Sequence, residues 1–203
     1  MIALLDYGAG NVRSVQKALI AAGGDVQLVP SPELVMQADA VVLPGVGAFD
    51  DCINAMQRLE LFGAAREFIS TGKPFLGICV GYQALFENSE EFNSSAAGLG
   101  IFEGSVVRFP DADVKVPQIG WNEVNFTQPD CPILKGIESG SHFYFVHSYY
   151  PQPKDGSIVT TRTEYGVEFT SAIWRDNVFA TQFHPEKSQK VGLQLLTNFV
   201  NLI

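Results

Sequence analysis

The chain has 203 residues, 46% hydrophobic and 17% charged, which is typical of a globular protein and excludes a disordered one. Its formal net charge is −9 and it contains no basic run, so we expect no nucleic-acid partner. Met1–Leu5 is apolar but Asp6 follows at once, so no signal peptide or membrane span is predicted. Three widely spaced cysteines, Cys52, Cys79 and Cys131, fit neither a disulfide framework nor a metal site, which favours a reducing cytoplasm.

Short apolar runs alternate with helical patterns in the first half of the chain. The predicted strands are Met1–Asp6, Asp25–Val29, Asp39–Leu43 and Pro74–Ile78. A first helix is predicted by the shared face of Val12, Val15, Leu19 and Ile20. Two further helices are predicted at Asp50–Thr71 and Val80–Glu87. Strands that alternate with helices in this way indicate a parallel sheet with helices on its faces.

The second half, from Ser105 to Phe183, is rich in strand-forming residues separated by Pro, Gly and Asp. Hairpins are predicted around Lys154–Ser157 and Arg175–Asn177. A final helix is predicted by the spacing of Val191, Leu195, Phe199 and Val200. No linker or repeat interrupts the sequence. We therefore expect one α/β domain over residues 1–203, with a mostly parallel central sheet and an antiparallel extension in its C-terminal half.

The segment around Cys79 is the most informative part of the sequence. A buried strand runs directly into Gly77-x-Cys79-x-Gly81, the thiol form of the G-x-S-x-G nucleophile elbow. The flanking glycines allow a sharp strand-to-helix turn that presents the sulfur at the end of the strand. A position at the start of a helix favours the thiolate, and the N–H of Val80 points into the same space. A cysteine in an apolar run without such flanking glycines is usually a buried core residue. This is the interpretation for Cys52 and Cys131.

Only three histidines are available as a base for this thiol. His142 and His147 lie in one strand-like run, whereas His184 ends a predicted strand and is followed by Pro185 and Glu186. A carboxylate on one ring nitrogen fixes the tautomer and leaves the other nitrogen to exchange a proton with the thiol. By itself this segment fits a surface turn, but together with the elbow it predicts a Cys79–His184–Glu186 triad.

Two glycine-rich segments follow predicted strands. In Leu43–Phe49, Gly45 and Gly47 leave the backbone free to turn N–H groups toward an oxyanion, although an ordinary strand-ending turn explains the motif equally well. The segment Asp6–Asn11 resembles the start of a dinucleotide fingerprint, but Arg13 occupies the third glycine position of G-x-G-x-x-G. No NAD or FAD site, and no cofactor, is therefore predicted.

The combination of these motifs resembles the class I (triad) glutamine amidotransferases over nearly the whole chain. The motifs are Gly77-x-Cys79-x-Gly81-x-Gln83 and His184-Pro-Glu186. Four further segments are similar to the glutaminase subunits of imidazole glycerol phosphate synthases: Asp6–Asn11, Pro44–Gly47, Gln118–Asn122 and Phe145–Tyr149. Relatives that serve chorismate have Pro-Gly-Pro-Gly and a histidine at the position of Tyr82.

The resemblance implies that Cys79 attacks the side-chain amide of L-glutamine and that His184 protonates the departing ammonia. It implies an oxyanion site at Val80, Val46 and Gly47. It implies that glutamine is held by Gly45, Gln83, His147, Ser148 and Tyr149. It also implies a heterodimer with a (βα)₈ cyclase subunit, which receives the ammonia and binds the phosphorylated substrate, with Asn11, Trp121 and Lys187 at the interface. For Trp121 core packing, and for Lys187 a solvated charge, are the alternatives.

In this family, ligand on the cyclase is expected to stimulate glutamine hydrolysis. We therefore expect an N–H of the Pro44–Gly47 loop to flip inward and complete the oxyanion site, a movement that glycine makes easy. Three other functions remain open from the sequence: an amidotransferase subunit of another pathway, a non-catalytic scaffolding subunit, and a stand-alone cysteine hydrolase or deglycase.

Overall fold

The computed structural model describes residues 1–8, 11–110 and 114–203. Ala9 and Gly10, within the glycine-rich segment that ends at Asn11, lie outside the described residues.

The largest sheet in the described part of the chain has nine strands in the order β2-β1-β3-β4-β12-β11-β10-β7-β8. Its strands are β1 (Ile2–Leu5), β2 (Val26–Val29), β3 (Ala40–Leu43), β4 (Phe75–Ile78), β7 (Gln118–Phe126), β8 (Ser141–His147), β10 (Val159–Glu164), β11 (Glu168–Arg175) and β12 (Val178–Thr181). The five strands from β2 to β12 are parallel, and those from β12 to β8 are antiparallel. The predicted parallel sheet with an antiparallel extension is therefore confirmed.

A smaller sheet in the described residues joins β5 (Asn88–Ser89), β6 (Gly104–Arg108) and β9 (Tyr149–Pro153) in that order. The turn at Lys154–Ser157 therefore connects two different sheets, and the hairpin predicted there is wrong: β9 pairs with β6, whereas β10 pairs with β11 and β7. The hairpin at Arg175–Asn177 is confirmed, because Arg175 pairs with Val178 across β11 and β12.

The helices are α1 (Val12–Ala21), α2 (Pro32–Gln37), α3 (Phe49–Arg58), α4 (Leu61–Ser70), α5 (Val80–Gln83) and α6 (Gln189–Val200). The single helix predicted over Asp50–Thr71 is wrong, because Glu60 adopts the left-handed conformation (φ 59°) and separates α3 from α4. The helix after Cys79 is shorter than predicted and ends at Gln83. Ile20 does not share the buried face of α1, being 53% exposed. The short helix α2 was not predicted.

The strands at the centre of the large sheet are covered on both faces. All residues of β1, β3, β4 and β12 are buried, as expected for parallel strands between two layers of helices. The chain leaves the carboxyl ends of these strands at one edge of the sheet, which places the segments after Leu43, Ile78 and Thr181 side by side. In the described ranges, no helix is long and apolar enough to cross a membrane.

Candidate active site

A sharp turn presents Cys79 at the end of β4. Its backbone has φ 56° and ψ −110°, outside the favoured regions for a residue with a side chain, which costs about 1–3 kcal/mol. Both flanking positions must be glycine, because neighbouring backbone atoms leave no room for a side chain. A Cβ on Gly77 would lie 2.8 Å from the carbonyl oxygen of Gly81, and one on Gly81 would lie 2.0 Å from the carbonyl oxygen of Leu43. The elbow is thus held between β4 and the end of β3.

His184 reaches the same place from the end of β12. Its backbone N–H donates to the carbonyl of Tyr144 (2.9 Å), and its carbonyl accepts from the Ser188 hydroxyl (2.6 Å), so the residue is fixed on both sides. The ring nitrogen Nδ1 lies 2.8 Å from Oε1 of Glu186, and both side chains are only 2% exposed. Since Glu186 accepts at Nδ1, the nitrogen Nε2 is left for Cys79.

The protonation of His184 is set by opposing effects. Burial lowers the pKa of the imidazole, but the Cys79 sulfur and the Glu186 carboxylate together raise it, to about 10. At neutral pH the ring therefore keeps both of its protons. Its Nε2 is buried and makes no hydrogen bond within the described residues, and the same is true of Oε2 of Glu186. A buried ring nitrogen beside the sulfur is in position to transfer a proton to or from a group bound there.

Cys79 and His184 open onto one cavity of about 380 Å³. Predicted site residues that line it with them are Val46, Gly47, Val80, Gln83, His147, Ser148 and Tyr149. Other lining residues are Glu91, Pro117, Val146 and Lys187. Gly45 is a predicted substrate-binding residue that is not among the lining residues. A Cβ there would lie 2.5 Å from the Gly81 nitrogen and 2.7 Å from the Val80 Cβ, so Gly45 allows its loop to pack against the elbow.

The groups predicted to stabilise an oxyanion all line this cavity. Val80 is the first residue of α5, where the N–H has no acceptor within the helix. In the loop after β3, Gly47 has φ +90°, a conformation that residues with side chains rarely adopt. Adjacent Val46 is 37% exposed. The inward flip of an N–H in this loop stays a prediction.

A strip of backbone at residues 147–149 forms another wall. The carbonyl of Tyr149 accepts hydrogen bonds from Nε2 of Gln83 (3.0 Å) and from Nδ1 of His147 (2.8 Å). Burial lowers the pKa of His147 to about 3, with a smaller contribution from His184, so the ring is neutral. Its Nε2 lies 2.9 Å from Oε1 of Gln118. A neutral ring that donates from Nδ1 can only accept at Nε2, so a hydrogen bond there requires the Gln118 amide to be turned round, with its N–H₂ group toward the ring. These contacts hold the strip against α5.

The family is decided by comparison with known proteins. The family model for glutamine amidotransferase class-I matches residues 3–202. The chain belongs to this family. The "Imidazole glycerol phosphate synthase subunit HisH" of Syntrophotalea carbinolica is 49% identical to this amidotransferase, over 98% of both chains. The protein of the same name from Acinetobacter baylyi is 50% identical, over 98% of this chain and 97% of the relative.

Solved structures agree on the fold. "Structure of PurLQS from Thermotoga maritima" has a TM-score of 0.78 to this amidotransferase at 19% identity, covering 98% of this chain and 97% of that one. A chain described as "Crystal structure of glutamine amidotransferase" has a TM-score of 0.73 at 20% identity, covering 99% and 97%. At these identities the likeness concerns the fold alone.

Sequence reasoning missed two side chains of the amidotransferase site. The carboxylate of Glu91 accepts from the Phe49 N–H (2.7 Å) at the start of α3 and also lines the cavity. Burial, with the nearby acidic side chains, raises the pKa of Glu91. No motif marks this residue. Gln182 is fully buried, with Nε2 3.7 Å from the Cys79 sulfur. Its position two residues before His184 was a usable signal, since alternate residues of an extended segment face the same side.

The predicted interface residues lie on the outside of this amidotransferase. Trp121 is 46% exposed on β7, which excludes core packing, and its ring centroid lies 6.1 Å from that of Tyr144. Lys187 lines the cavity, with Nζ 5.8 Å from the same Tyr144 ring. Asn11 is exposed before α1, which packs beside the turn that contains Lys187. The role of these three residues in an interface stays a prediction.

Proposed function

We propose that this amidotransferase hydrolyses L-glutamine to glutamate and ammonia through a thioester on Cys79, with His184 and Glu186 completing the triad. The observation that carries the proposal is the arrangement of Cys79, His184 and Glu186: the buried His184 ring lies 2.8 Å from the Glu186 carboxylate, and Cys79 and His184 line one cavity large enough for an amino acid. A thiol beside an imidazole that is oriented by a carboxylate supplies a sulfur nucleophile and a proton donor at the same point.

In the first step the Cys79 thiolate attacks the side-chain carbonyl carbon of glutamine and forms a tetrahedral adduct. The N–H of Val80, together with an N–H of the Val46–Gly47 segment turned inward, stabilises the resulting oxyanion. His184 then transfers its Nε2 proton to the amide nitrogen, the C–N bond breaks, and ammonia leaves behind a thioester. In the second step, water gives a proton to His184 and attacks the thioester, which releases glutamate and restores the thiolate.

The wall of the cavity suits the rest of the substrate. The half-buried carboxylate of Glu91 provides a negative charge for the α-ammonium group of glutamine. The backbone at His147, Ser148 and Tyr149, held in place by Gln83, offers further hydrogen bonds in the same cavity. Gly45 contributes indirectly, because its lack of a side chain sets the position of the oxyanion loop.

The partner we propose is the (βα)₈ cyclase subunit of imidazole glycerol phosphate synthase, in a cytoplasmic heterodimer that contributes to histidine biosynthesis. The name carried by relatives that are about half identical over nearly the whole length supports this pathway. The cyclase would combine the ammonia with a phosphoribulosyl-formimino-carboxamide ribonucleotide and produce imidazole glycerol phosphate and aminoimidazole carboxamide ribonucleotide. Exposed Trp121, with Lys187 and Asn11 nearby, provides a surface for this subunit.

The test is glutamate release from glutamine, measured for the chain alone and with the cyclase subunit and its ribonucleotide ligand. We expect strong stimulation by the ligand-bound cyclase, loss of activity in Cys79→Ser, and normal activity in Cys131→Ser. Cys131 is the matched control because it is equally buried but does not line the cavity. Activity that ignores the cyclase would assign the chain to another pathway. Absence of glutaminase activity with the cyclase would overturn the proposal.

A further inference from the structure

Gln182 connects the sulfur of Cys79 to the wall of the cavity through a chain of side-chain amides. Its Nε2 lies 3.7 Å from the Cys79 sulfur, and its Oε1 accepts a hydrogen bond from Nε2 of Gln83 (3.2 Å). The same Nε2 of Gln83 donates to the carbonyl of Tyr149 (3.0 Å). Gln182 is 0% and Gln83 3% exposed, so solvent does not replace these contacts.

The direction of each hydrogen bond between these amides follows from the carbonyl of Tyr149, at the end away from the sulfur. The carbonyl of Tyr149 can only accept, so Gln83 must turn its N–H₂ group toward it. The second N–H of that group then points to Gln182, which must present its oxygen. The N–H₂ group of Gln182 is therefore directed at the sulfur as a donor and cannot accept a proton from a thiol. A donor aimed at sulfur favours the thiolate over the thiol.

We propose that Gln182 is a positioning residue that holds the Cys79 thiolate by an N–H···S hydrogen bond and couples it through Gln83 to the substrate-binding strip at Tyr149. This inference rests on the function proposed above, since it assigns Gln182 a part in preparing that nucleophile. It also explains why a long polar side chain is completely buried directly after β12.

Other charged and titratable groups also surround Cys79. They are His184 after β12, Tyr7 after β1, Cys52 on α3, and Glu91, His147 and Lys187 around the cavity. All of them are retained when only Gln182 is replaced. A change in the ionisation of Cys79 between wild type and a Gln182 variant therefore reports the amide itself.

Two substitutions separate the donor from the rest of the network. In Gln182→Glu, a carboxylate oxygen still accepts from Gln83, but the donor to sulfur is replaced by a negative charge. In Gln182→Met, an apolar side chain of similar length removes both contacts without adding charge. Ser171→Ala is the matched control, because Ser171 is another fully buried polar residue, its carbonyl accepts from the backbone N–H of Gln182 (2.8 Å), and its hydroxyl bonds Thr161 (2.8 Å) instead of the sulfur.

The experiment measures the rate of alkylation of Cys79 by iodoacetamide against pH, followed by mass spectrometry of the labelled peptide, in the full-length chain. We expect the midpoint of the profile to rise by about one pH unit in Gln182→Met and further in Gln182→Glu. Ser171→Ala should keep the wild-type midpoint. Circular dichroism of each variant shows whether it is folded. One folded Gln182 variant is enough for the comparison with the wild type.

A wild-type midpoint in both folded Gln182 variants would overturn the inference, even if their glutaminase activity were reduced, because a purely structural role does not require the ionisation to change. Failure of the proposed function has a different signature. The wild-type chain would then release no glutamate with the cyclase present, whatever the alkylation profiles of the variants.

Discussion

The hydroxyl of Tyr7 donates a 2.7 Å hydrogen bond to the carbonyl oxygen of Pro44, which ties the segment after β1 to the glycine-rich loop after β3. The bond is buried, and burial together with Cys52 and Cys79 raises the pKa of Tyr7, so the hydroxyl remains a donor across the accessible pH range. Tyr7 thereby fixes the first residue of the loop that carries the proposed oxyanion groups. The same segment continues toward Asn11, a predicted interface residue.

The Tyr7→Phe variant tests whether this anchor prepares the loop. It leaves the Pro44 carbonyl buried without its donor, which should lower the free energy of unfolding by about 1–3 kcal/mol. A less well positioned loop should reduce kcat for glutamine hydrolysis about 3- to 10-fold with little change in KM. Urea denaturation and steady-state kinetics with the cyclase present give the two values. A variant that loses stability but keeps the wild-type kcat would limit Tyr7 to a structural role.

Substitution of Gly47 tests the inward flip of the oxyanion loop. Proline fixes φ near −65°, removes the N–H and cannot adopt the observed φ of +90°, so Gly47→Pro should reduce partner-stimulated glutamate release about 100-fold. A pair of alanine variants controls for the backbone strain that a side chain causes at positive φ. Gly47→Ala and Gly72→Ala both place alanine at positive φ in open space, and only the former should lose activity. Full stimulated activity in Gly47→Pro would disprove the flip.

The nucleophile elbow predicts opposite effects for alanine at two glycines in helices. Gly81→Ala would place a methyl group 2.0 Å from the Leu43 carbonyl oxygen, so we expect a loss of more than about 3 kcal/mol in the free energy of unfolding, or no folded protein. Gly63→Ala, in α4, meets nothing within 4 Å and should stabilise the chain by about 0.5–1 kcal/mol. Thermal and urea denaturation measure both. Equal effects of the two substitutions would contradict the packing described for the elbow.

His147 makes stability depend on pH in the acidic range. Its pKa is lowered by burial to about 3 from an ordinary value of 6.5, so the unfolded chain binds this proton first. The stabilisation from the neutral ring is complete above pH 6.5 and is lost as the pH falls toward 3, by at most about 1.4 kcal/mol per pH unit. In His147→Asn, which keeps a donor for the Tyr149 carbonyl, this dependence should become shallower.

The measurement is urea denaturation of wild type and variant at several pH values between 4 and about 7. His142→Asn is the matched control, since the His142 side chain is 55% exposed. In this variant the free energy of unfolding should depend on pH as steeply as in the wild type. If the His147→Asn and wild-type curves ran parallel over this range, the neutral buried ring would not be the source of the pH dependence.

The sequence by itself determined the order of the elements around the site and the chemistry of its principal groups. Glycines that flank Cys79 and the turn after His184 are local signals, because a sharp turn restricts residue type at adjacent positions. The parallel and antiparallel halves of the sheet followed from the same kind of local pattern. Assignment of roles to Val46, Gly47, Val80 and the 147–149 strip came from a family resemblance, and those roles remain proposals.

Only the tertiary structure decided which distant residues share the cavity. The contacts of Gln182 with Cys79, of Tyr7 with Pro44 and of Glu91 with the start of α3 join segments separated by 103, 37 and 42 residues. The tertiary structure also decided that the helix breaks at Glu60 and that β9 and β10 belong to different sheets. These features depend on strand order and packing between elements, which no local periodicity encodes, because a pattern of apolar residues specifies a buried face but not the partner that covers it.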